Sequence, residues 1–563
     1  MQFFLTFLPV DSAPPFHSRV LFWYGDGIKK KWYASPNKMK LLKSVYRSSS
    51  FLIFLFIWLE SSAVPKPNIL LITADDLGWD SLGCMGNPLE GLSPNLDRLA
   101  SEGLLIKHGY VATPICGPSR QALYTGRFPQ STGLMGHGVQ PPNWWKLNRS
   151  NAGTQSITSL LLQDGYLSGM IGKHGSEWCR FSLPPHGRNE QTGMGRNPEK
   201  YFAYTRQFLA WAKEEKKPFF LAANAHDPHR YWARHPDETS KWINQMMGDK
   251  PWERLLNGKP YPDPKSRFIP EQCPVPPAYP SVPKLKESLV TYYDSVNRMD
   301  QVVGGVLQAL EESGLAKNTL VLFLSDHGMA WDLSKWSLYP SGVRTPMLIR
   351  WPAQVKAGQI DSQSIVSVVD IAPTIAELCG LSPMTKADGK SFSSLLKKRQ
   401  SKWKRSSAFS CFNYMNNSPE IDNSIDSFPS DLPEKFEQYR PSRSLNNKDF
   451  SYVWNGWADG NRSLPRTMLG EFHSLLPTLA KNSLNLDYGD YLQKRDFIKY
   501  RASEELYELS TDPGCHNNLA KQSQHRDNLS KFRNTMKNIL EKTNDHELNS
   551  FLAYTQKSKL HAK

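Results

Sequence analysis

Cys116 stands three residues ahead of a Ser-Arg pair in the stretch "TPICGPSRQALYTGRF" (113–128). Pro118 is suited to a first helical turn and Gly126 to a helix end, so we predict a short helix that begins at or just before Cys116. Backbone N–H groups and the dipole at a helix N-terminus stabilise anions. Arg120, one turn further on, offers a planar fork to an oxyanion. The segment therefore predicts an anion-binding pocket with the thiol at its mouth.

Acidic side chains follow two apolar runs that are predicted strands. Asp75 and Asp76 come after the first run, and Asp326 and His327 come after the other. An isolated Asp-Asp pair equally fits a helix N-cap and its neighbour. Carboxylates delivered from two strands, however, are what a hard divalent cation needs, and we predict a metal site. Because imidazole is a softer donor, His327 either tilts the site towards a transition metal or lies just outside the coordination sphere.

Short apolar runs alternate with helical patterns along the chain. Runs of this kind predict strands buried on both faces: "NILLIT" (68–73), "YLSGMIG" (166–172), "FFLAANA" (219–225), "TLVLFLS" (319–325) and "PMLIRW" (346–351). Helix signals lie between them, as at Ser93-Pro94 and in the long pattern over 285–314. We predict an α/β fold with a mostly parallel central sheet flanked by helices. Ligands bind such sheets at the carboxyl ends of strands, where Lys173, His226 and the acidic residues would converge.

The sequence changes character after "DGKSFSSLL" (388–396), where Ser, Asn and Lys become frequent and strand signals sparse. "FSYVWNGW" (450–457) still predicts a strand, and a polar helix is predicted around 524–543. We therefore expect a catalytic domain over 64–396 and a smaller α+β domain over 397–563.

The first 63 residues predict a targeting segment. "FLIFLFIWL" (51–59) is too short to span a bilayer, which needs about 20 residues. Basic residues precede it and the small residues Ser61 and Ala63 follow, a pattern that predicts a secretory signal peptide cleaved after Ala63. Met39 would then be the natural start and 1–38 an upstream extension; the alternative is an uncleaved membrane anchor. Cleavage predicts an exported protein without stable membrane insertion, in a periplasmic, secreted or lysosome-like compartment.

The charge balance favours anionic ligands. Lys and Arg number 68 against 53 Asp and Glu, a formal charge of +15. We see no zinc-finger spacing and no recognisable recognition helix, and we predict no nucleic-acid partner. A sulfated or phosphorylated anion fits the charge equally well. The seven cysteines contain no CxxC pair, so neither a zinc site nor a disulfide scaffold is predicted.

"CGPSR" (116–120), together with "ITADDLGWDSLGCMG" and "PNLDRLASEG", resembles the type I sulfatase family. The resemblance extends over about 68–396 and includes "ELYELSTDPGCHNNLA" (505–520). It implies an alkaline-phosphatase-like sandwich and a sulfated sugar or glycosaminoglycan fragment as substrate. It also implies that a formylglycine-generating maturation enzyme oxidises Cys116 to Cα-formylglycine, whose hydrate attacks sulfur.

The same resemblance implies roles for individual residues. Asp75, Asp76 and Asp326 would be Ca²⁺ ligands beside the modified Cys116, with His327 where most members have Asn.

The resemblance also names residues that would contact the sulfate, namely Arg120, Lys173, His226 and Lys335. In "IGKHGSE", the lysine is followed at once by His174, whereas the family pattern is Lys-x-His. His226 or His174 would protonate the leaving group.

Within the family, "NAHDPHR" (224–230) and "VNRMDQVVGGVLQALEESG" (296–314) resemble the heparan N-sulfatases most. The preferred function is thus hydrolysis of an N-sulfoglucosamine. Three alternatives stay open: an O-sulfatase on another sulfated polysaccharide, a non-catalytic binder of sulfated glycans, and a phosphohydrolase of the same superfold. Cys116 speaks against the phosphohydrolase, which would use a metal-bound Ser or Thr.

Overall fold

The structure, a computed structural model, describes most of the chain from Lys66 onwards. The described residues are 66–136, 155–173, 195–229, 262–279, 281, 283–397, 403–413, 439–459, 462–464 and 500–560. The predicted leader (1–63) and His174 lie outside them.

A seven-stranded sheet forms the centre of the fold. Its strands are β1 Asn68–Ala74, β2 Leu104–Tyr110, β3 Leu167–Gly172, β4 Phe219–Asn224, β5 Thr319–Ser325, β6 Arg344–Arg350 and β7 Gln359–Ser367. Their order is β3-β4-β1-β5-β6-β2-β7. Only β6 runs antiparallel to its neighbours β5 and β2, and the other pairs are parallel. The predicted mostly parallel sheet is confirmed.

The apolar runs form the inner strands of the sheet, since the side chains on both faces of an inner strand are covered. Every residue of β1, β3, β4 and β5 is buried, as a continuous Leu/Ile/Phe-rich run requires. Two strands were not anticipated. The apolar run of β2 is interrupted by Lys107 and His108, and β7 is an edge strand whose first six residues are partly or fully exposed.

Helices connect the strands and pack against the sheet and one another. The α-helices are α1 Pro94–Ser101, α2 Cys116–Thr125, α3 Pro129–Thr132, α4 Ile157–Gln163, α5 Pro198–Glu214, α6 Pro283–Glu312, α7 Pro340–Val343, α8 Ile371–Leu378, α9 Ser393–Leu396, α10 Arg526–Lys542 and α11 Leu548–Leu560. Short 3₁₀ turns lie at Gly83–Met85, Ala316–Asn318, Val368–Asp370 and Ser523–His525. The long helix α6 packs against α5 and α1.

The N-terminus of α1 shows how α6 holds its neighbours. Ser93 occupies the predicted cap position, but its side chain does not cap the helix. Instead, the buried carboxylate of Asp300 on α6 accepts hydrogen bonds from the backbone N–H groups of Asn95 and Leu96, at 3.1 and 2.8 Å. A carboxylate satisfies the unpaired amides of a helix start well. Asp300 therefore has a structural role.

A second, antiparallel sheet lies in the C-terminal part. Its order is β11-β10-β9-β8, from strands β8 Ala408–Phe412, β9 Ser442–Asn446, β10 Phe450–Asn455 and β11 Glu504–Glu508. Phe532 of α10 stacks on Tyr452 at 5.6 Å between ring centroids, and Phe551 of α11 packs edge-on against Trp454. The strand expected at 450–457 and the helix expected at 524–543 are both present.

Hydrogen bonds join this part to the rest. The backbone N–H of Cys411 in β8 donates to the carbonyl of Ala112 at 2.9 Å. Residues 66–563 form one compact unit. The domain boundary at 396/397 stays a prediction. Among the described residues, no helix is both long and apolar enough to cross a bilayer.

Candidate active site

Four adjacent parallel strands end at one edge of the central sheet. In the order β3-β4-β1-β5, they are followed by Lys173, by His226, by the pair Asp75-Asp76, and by the pair Asp326-His327. Carboxyl ends of parallel strands meet at the same edge, so the sheet order brings these polar groups together. The chain gathers them from positions as far apart as 75 and 327.

Helix α2 delivers Cys116 to this edge. The helix begins at Cys116, preceded by Ile115 in an extended conformation, and it ends at Gly126, whose φ of 67° is left-handed. The hydroxyl of Ser119 donates to the carbonyl of Asp326 at 2.6 Å and fixes the first turn against the end of β5. The predicted helix start is therefore correct, and the thiol lies where backbone N–H groups point outward.

Cys116 is 2% exposed and lies among charged groups. Its Sγ is 3.2 Å from Nε2 of His327, 3.4 Å from Oδ1 of Asp75 and 3.6 Å from Nζ of Lys335. Burial and the Asp75 carboxylate raise the pKa of the thiol, but Lys173, Lys335 and His327 outweigh them and bring it well below the usual value. Nearby lysine and histidine cations favour the thiolate, the form in which a cysteine reacts.

Carboxylates and an imidazole converge beside the thiol. One ligand atom each from Asp75, Cys116, Asp326 and His327 lies within 4.8 Å of the other three. Asp76 joins the cluster through its backbone N–H, which donates to Oδ1 of Asp326 at 3.2 Å. Asp76 itself has a φ of 64°, a strained conformation that Asp tolerates better than most residues.

The donor set fits a divalent cation. Three carboxylates supply the hard oxygens that Ca²⁺ or Mg²⁺ prefers. Nδ1 of His327 is 2.8 Å from the carbonyl of Gly328, and this contact turns Nε2 towards Asp76, 3.2 Å away, and towards the cluster. A carbonyl that orients a histidine ligand in this way is common around metals. His327 is thus placed to ligate rather than only to lie outside.

Three of the predicted sulfate contacts, Lys173, Lys335 and Arg120, each form an ion pair with one carboxylate of the site. Lys173 bonds to Asp75, and Nζ of Lys335 lies 2.7 and 3.0 Å from the two oxygens of Asp76. Arg120 donates to Asp326 at 3.0 Å through Nε.

The guanidinium of Arg120 makes further bonds within the protein. It also donates to the hydroxyl of Thr73 at 2.7 Å, and its side chain is 2% exposed. In this structure Arg120 binds the carboxylate of Asp326, and Nζ of Lys335 also lies 3.6 Å from Sγ of Cys116.

Mutual electrostatics shift the ionisation of the cluster. Burial and repulsion from Asp75 raise the pKa of Asp326 to about 6, although Arg120 opposes them. Burial opposes the charging of His327, but Asp326 and Cys116 raise the pKa of this imidazole to about 9. For Asp75, burial raises the pKa, but Lys173 and other nearby cations hold it well below its usual range. Carboxylates pushed apart in pKa are typical of functional sites.

The turn after β4 presents two histidines. The rings of His226 and His229 pack edge-on with centroids 4.8 Å apart, and Nε2 of His229 is 3.8 Å from Asp76. Nδ1 of His226 is buried and has no hydrogen-bond partner among the described residues. Loss of hydration and the charge of Arg196 lower the pKa of His226 well below its usual value. His229 was missed from the sequence, although its i,i+3 spacing from His226 in "HDPH" signalled it.

A buried ion cluster fixes this turn. Asp227 accepts from Nε of Arg196 at 2.7 Å, and from Nε and a terminal nitrogen of Arg298 at 2.6 and 3.0 Å. Arg196 also donates to the carbonyl of His229 at 3.0 Å. We call Asp227, Arg196 and Arg298 the arginine clamp. It positions His226 and His229 and was not foreseen from the sequence.

The α/β sheet brings a thiol, carboxylates and cations together at its carboxyl edge, and comparison with known proteins shows which family has this arrangement. The family model described as Sulfatase matches residues 67–381. The chain belongs to the sulfatase family.

Curated relatives include several sulfatases. The chain is 31% identical to N-sulphoglucosamine sulphohydrolase from Homo sapiens over 316 residues, 55% of this chain and 60% of the relative. It is 31% identical to N-acetylgalactosamine-6-sulfatase from Homo sapiens over 354 residues, 57% and 64% of the two chains. The match to an ulvan-active sulfatase from Formosa agariphila is 25% identical and covers 83% and 74%. The chain thus spans less than two thirds of the two human relatives.

Solved structures share the fold. A 2-O GAG sulfatase superposes with a TM-score of 0.57 at 19% identity, over 86% of this chain and 94% of that one. A protein solved in complex with D-glucosamine-2-N,6-O-disulfate gives a TM-score of 0.55 at 17% identity, over 86% and 99%. These likenesses confirm the sulfatase-type fold.

Proposed function

We propose that the protein is a sulfatase that hydrolyses a sulfate ester or sulfamate on a sulfated glycan or sugar, with N-sulfoglucosamine of heparan type as its substrate. The observation that carries the proposal is the position of Cys116. It begins a helix within the family's "CGPSR" signature, and its Sγ lies 3.2 to 3.6 Å from an imidazole, a carboxylate and an ammonium group. Conversion to formylglycine by a maturation enzyme would place an aldehyde hydrate there as oxygen nucleophile.

A Ca²⁺ ion completes the proposed site. Asp75, Asp76, Asp326 and His327 would hold it. Asp75, Asp326 and His327 form one group of donor atoms with Cys116, Asp75 and Asp76 form a second with Cys116 and His229, and Nε2 of His327 is 3.2 Å from Asp76. An ion held there would supply positive charge that favours the ionised nucleophile.

The protein's own cations do the rest of the electrostatic work. Lys173 and Lys335 are held by Asp75 and Asp76, so their ammonium groups are fixed before substrate arrives. Preorganised donors of this kind stabilise charge that develops on the sulfate oxygens. Arg120 fixes Asp326 and contributes positive charge below the helix N-terminus.

His226 is the proposed donor of the leaving-group proton. Burial and Arg196 lower its pKa in the free protein, so the negative charge of a bound sulfate group would have to raise that pKa before the imidazole can donate. Its buried Nδ1 has no hydrogen-bond partner in the described part of the chain, and the arginine clamp holds its turn in place. His229 lies between His226 and Asp76 and would steady the ring by edge-on contact. A departing amine needs a proton more than a departing alcohol does, so this role matters most for a sulfamate.

The proposed substrate is chosen from the names of the similar sulfatases and from one sequence segment. The two human relatives named above, one acting on N-sulphoglucosamine and the other on N-acetylgalactosamine-6-sulfate by name, are equally identical to this chain. The "NAHDPHR" segment favours the sulfamate. An O-sulfatase is the second candidate, supported by the second of these relatives. Export through the predicted leader would bring the enzyme to such glycans.

The test uses protein produced together with a maturation enzyme and supplied with Ca²⁺. We expect sulfate release from glucosamine N-sulfate to exceed that from glucosamine 6-sulfate. His226→Ala should lower turnover of the N-sulfate by about 10² to 10⁴-fold and that of the 6-sulfate less. His516→Ala, which changes an exposed histidine, is the control and should leave both unchanged. Release from the O-sulfate alone would replace the N-sulfatase proposal, and release from neither sugar would refute both.

A further inference from the structure

A cavity lies apart from the catalytic cluster, our name for Asp75, Asp76, Cys116, Asp326 and His327. It has a volume of about 350 Å³, within the range of ligand pockets, and opens between the last turns of α10, the segment before β8 and the loop before α9. We call it the basic cavity. Its lining residues are Phe128, Asp388, Lys390, Lys404, Arg405, Ser406, Ser407, Phe409, Thr535, Asn538, Ile539, Lys542 and Thr543.

The basic cavity lies at the far end of α2 from the thiol. Cys116 begins this helix, whereas Phe128 follows its C-terminal Gly126. Ten helical residues rise about 15 Å. No residue that lines the cavity belongs to the catalytic cluster or to the arginine clamp. The cavity is therefore a separate feature.

Cations dominate the lining. Lys390, Lys404 and Lys542 are exposed and form no ion pair among the described residues. The one carboxylate, that of Asp388, already accepts from the backbone N–H of Phe128 at 2.8 Å. The three lysines thus present an unbalanced charge of like sign around one space.

Arg405 is a fourth cation of the lining, and one of its N–H groups has no hydrogen-bond partner among the described residues. Its guanidinium binds the buried Asp370, yet its Nε–H is buried and has no hydrogen-bond partner among the described residues. Lys404 and Arg405 also belong to the sequence "KKRQSKWKR" (397–405), with Lys or Arg at six of nine positions. Dense runs of this type are typical of surfaces that bind polyanions such as heparin or nucleic acid.

The remaining lining residues favour a sugar over a nucleobase. Phe128 and Phe409 are 5% and 1% exposed and pack edge-on against each other, with centroids 5.0 Å apart, so neither offers a face for base stacking. Hydroxyl and amide groups of Ser406, Thr535 and Asn538 can bond to sugar hydroxyls.

We propose that the basic cavity is an exosite that binds a sulfated polysaccharide chain away from the catalytic centre. The choice of a sulfated glycan over another polyanion rests on the proposed function. The positive charge of the cavity is observed independently of that function. Sulfates along the chain would pair with Lys390, Lys404 and Lys542, while the sugar under attack occupies the cluster around Cys116.

The experiment separates binding from turnover by using the Cys116→Ala full-length chain and heparin as the probe. The triple variant Lys390→Gln/Lys404→Gln/Lys542→Gln should weaken heparin binding by about 10-fold and flatten its dependence on salt, since three charge contacts are lost. The control triple Lys317→Gln/Lys356→Gln/Lys521→Gln removes the same charge from exposed positions outside the cavity and should bind as tightly as the parent.

Three outcomes would overturn the exosite: equal weakening of heparin binding by both triple variants, no weakening by the first, and tighter binding of single-stranded DNA than of heparin.

Turnover is measured in the chain that retains Cys116. There, the first triple variant should leave turnover of a sulfated monosaccharide unchanged and lower turnover of the sulfated polymer. Heparin binding that depends on these lysines in a protein without sulfatase turnover would uphold the exosite and refute the proposed function alone.

Discussion

The catalytic cluster and the arginine clamp are neighbours built from buried charges, yet they differ in how those charges are satisfied. In the clamp, both oxygens of Asp227 accept from arginines, one in the turn before α5 and one on α6, and all three side chains are at most 2% exposed. In the catalytic cluster, donor atoms of Asp75, Asp326, His327 and Cys116 face one another within 4.8 Å. The clamp is closed, whereas in the cluster two carboxylates, a thiol and an imidazole turn donor atoms towards a common point, although Arg120 and Lys173 also pair with the carboxylates.

This difference distinguishes a structural ion cluster, the arginine clamp, from a candidate active site, the catalytic cluster. Buried charge by itself is weak evidence for function, because structural ion pairs also perturb ionisation. Carboxylates that converge in a buried site lower the stability of the fold unless a cation binds them, so a protein keeps them where they have a function. The clamp has another consequence, since it holds the turn that carries His226 and His229 beside the cluster.

The stability of the protein should depend strongly on the arginine clamp. Asp227→Asn should lower the free energy of unfolding by about 3 to 5 kcal/mol, because it leaves two buried guanidinium groups without their countercharge. The measurement is the urea midpoint of the variant against that of the unmodified chain.

The control for this substitution is an exposed ion pair. Glu215 and Lys217 lie 3.1 Å apart with side chains 41% and 48% exposed. Glu215→Gln should change the midpoint little, as surface pairs contribute about 0 to 1 kcal/mol. A clamp variant as stable as this control would contradict the structural role of Asp227.

The second and smaller effect concerns calcium. Added at about 100 times its dissociation constant, Ca²⁺ should stabilise the protein by about 2.7 kcal/mol, seen as a rise in melting temperature. Asp76→Asn should abolish most of this response, because it removes a ligand carboxylate. Asp227→Asn should keep the response although its starting stability is lower. Equal calcium responses in both variants would erase the distinction between site and scaffold.

The sequence predicted those parts of the molecule that depend on local patterns. β1, β3, β4 and β5 were found because residues buried on both faces make continuous apolar runs. Since these strands are parallel, the polar residues that follow them could be expected at one edge. α2 was found because Pro118 and Gly126 mark its two ends.

Features set by distant contacts were not predictable in this way. Nothing near Arg196 or Arg298 in the sequence points to Asp227, since only the packing of α6 beside the turn after β4 brings them together. The polar edge strand β7 pairs with β2 and lacks an apolar run. The pairing of Lys335 with Asp76 likewise depends on residues 259 positions apart.

In the proposed reaction, Cys116 is the precursor of the nucleophile. The most direct measurement is the mass of the tryptic peptide 108–120, from protein made with a formylglycine-generating enzyme, read alongside sulfate release from the same preparation. We expect residue 116 to be an aldehyde or its hydrate, and sulfate release to scale with the converted fraction. An unmodified thiol in a preparation whose enzyme converts a control sulfatase would contradict formylglycine formation and favour a binding protein for sulfated glycans.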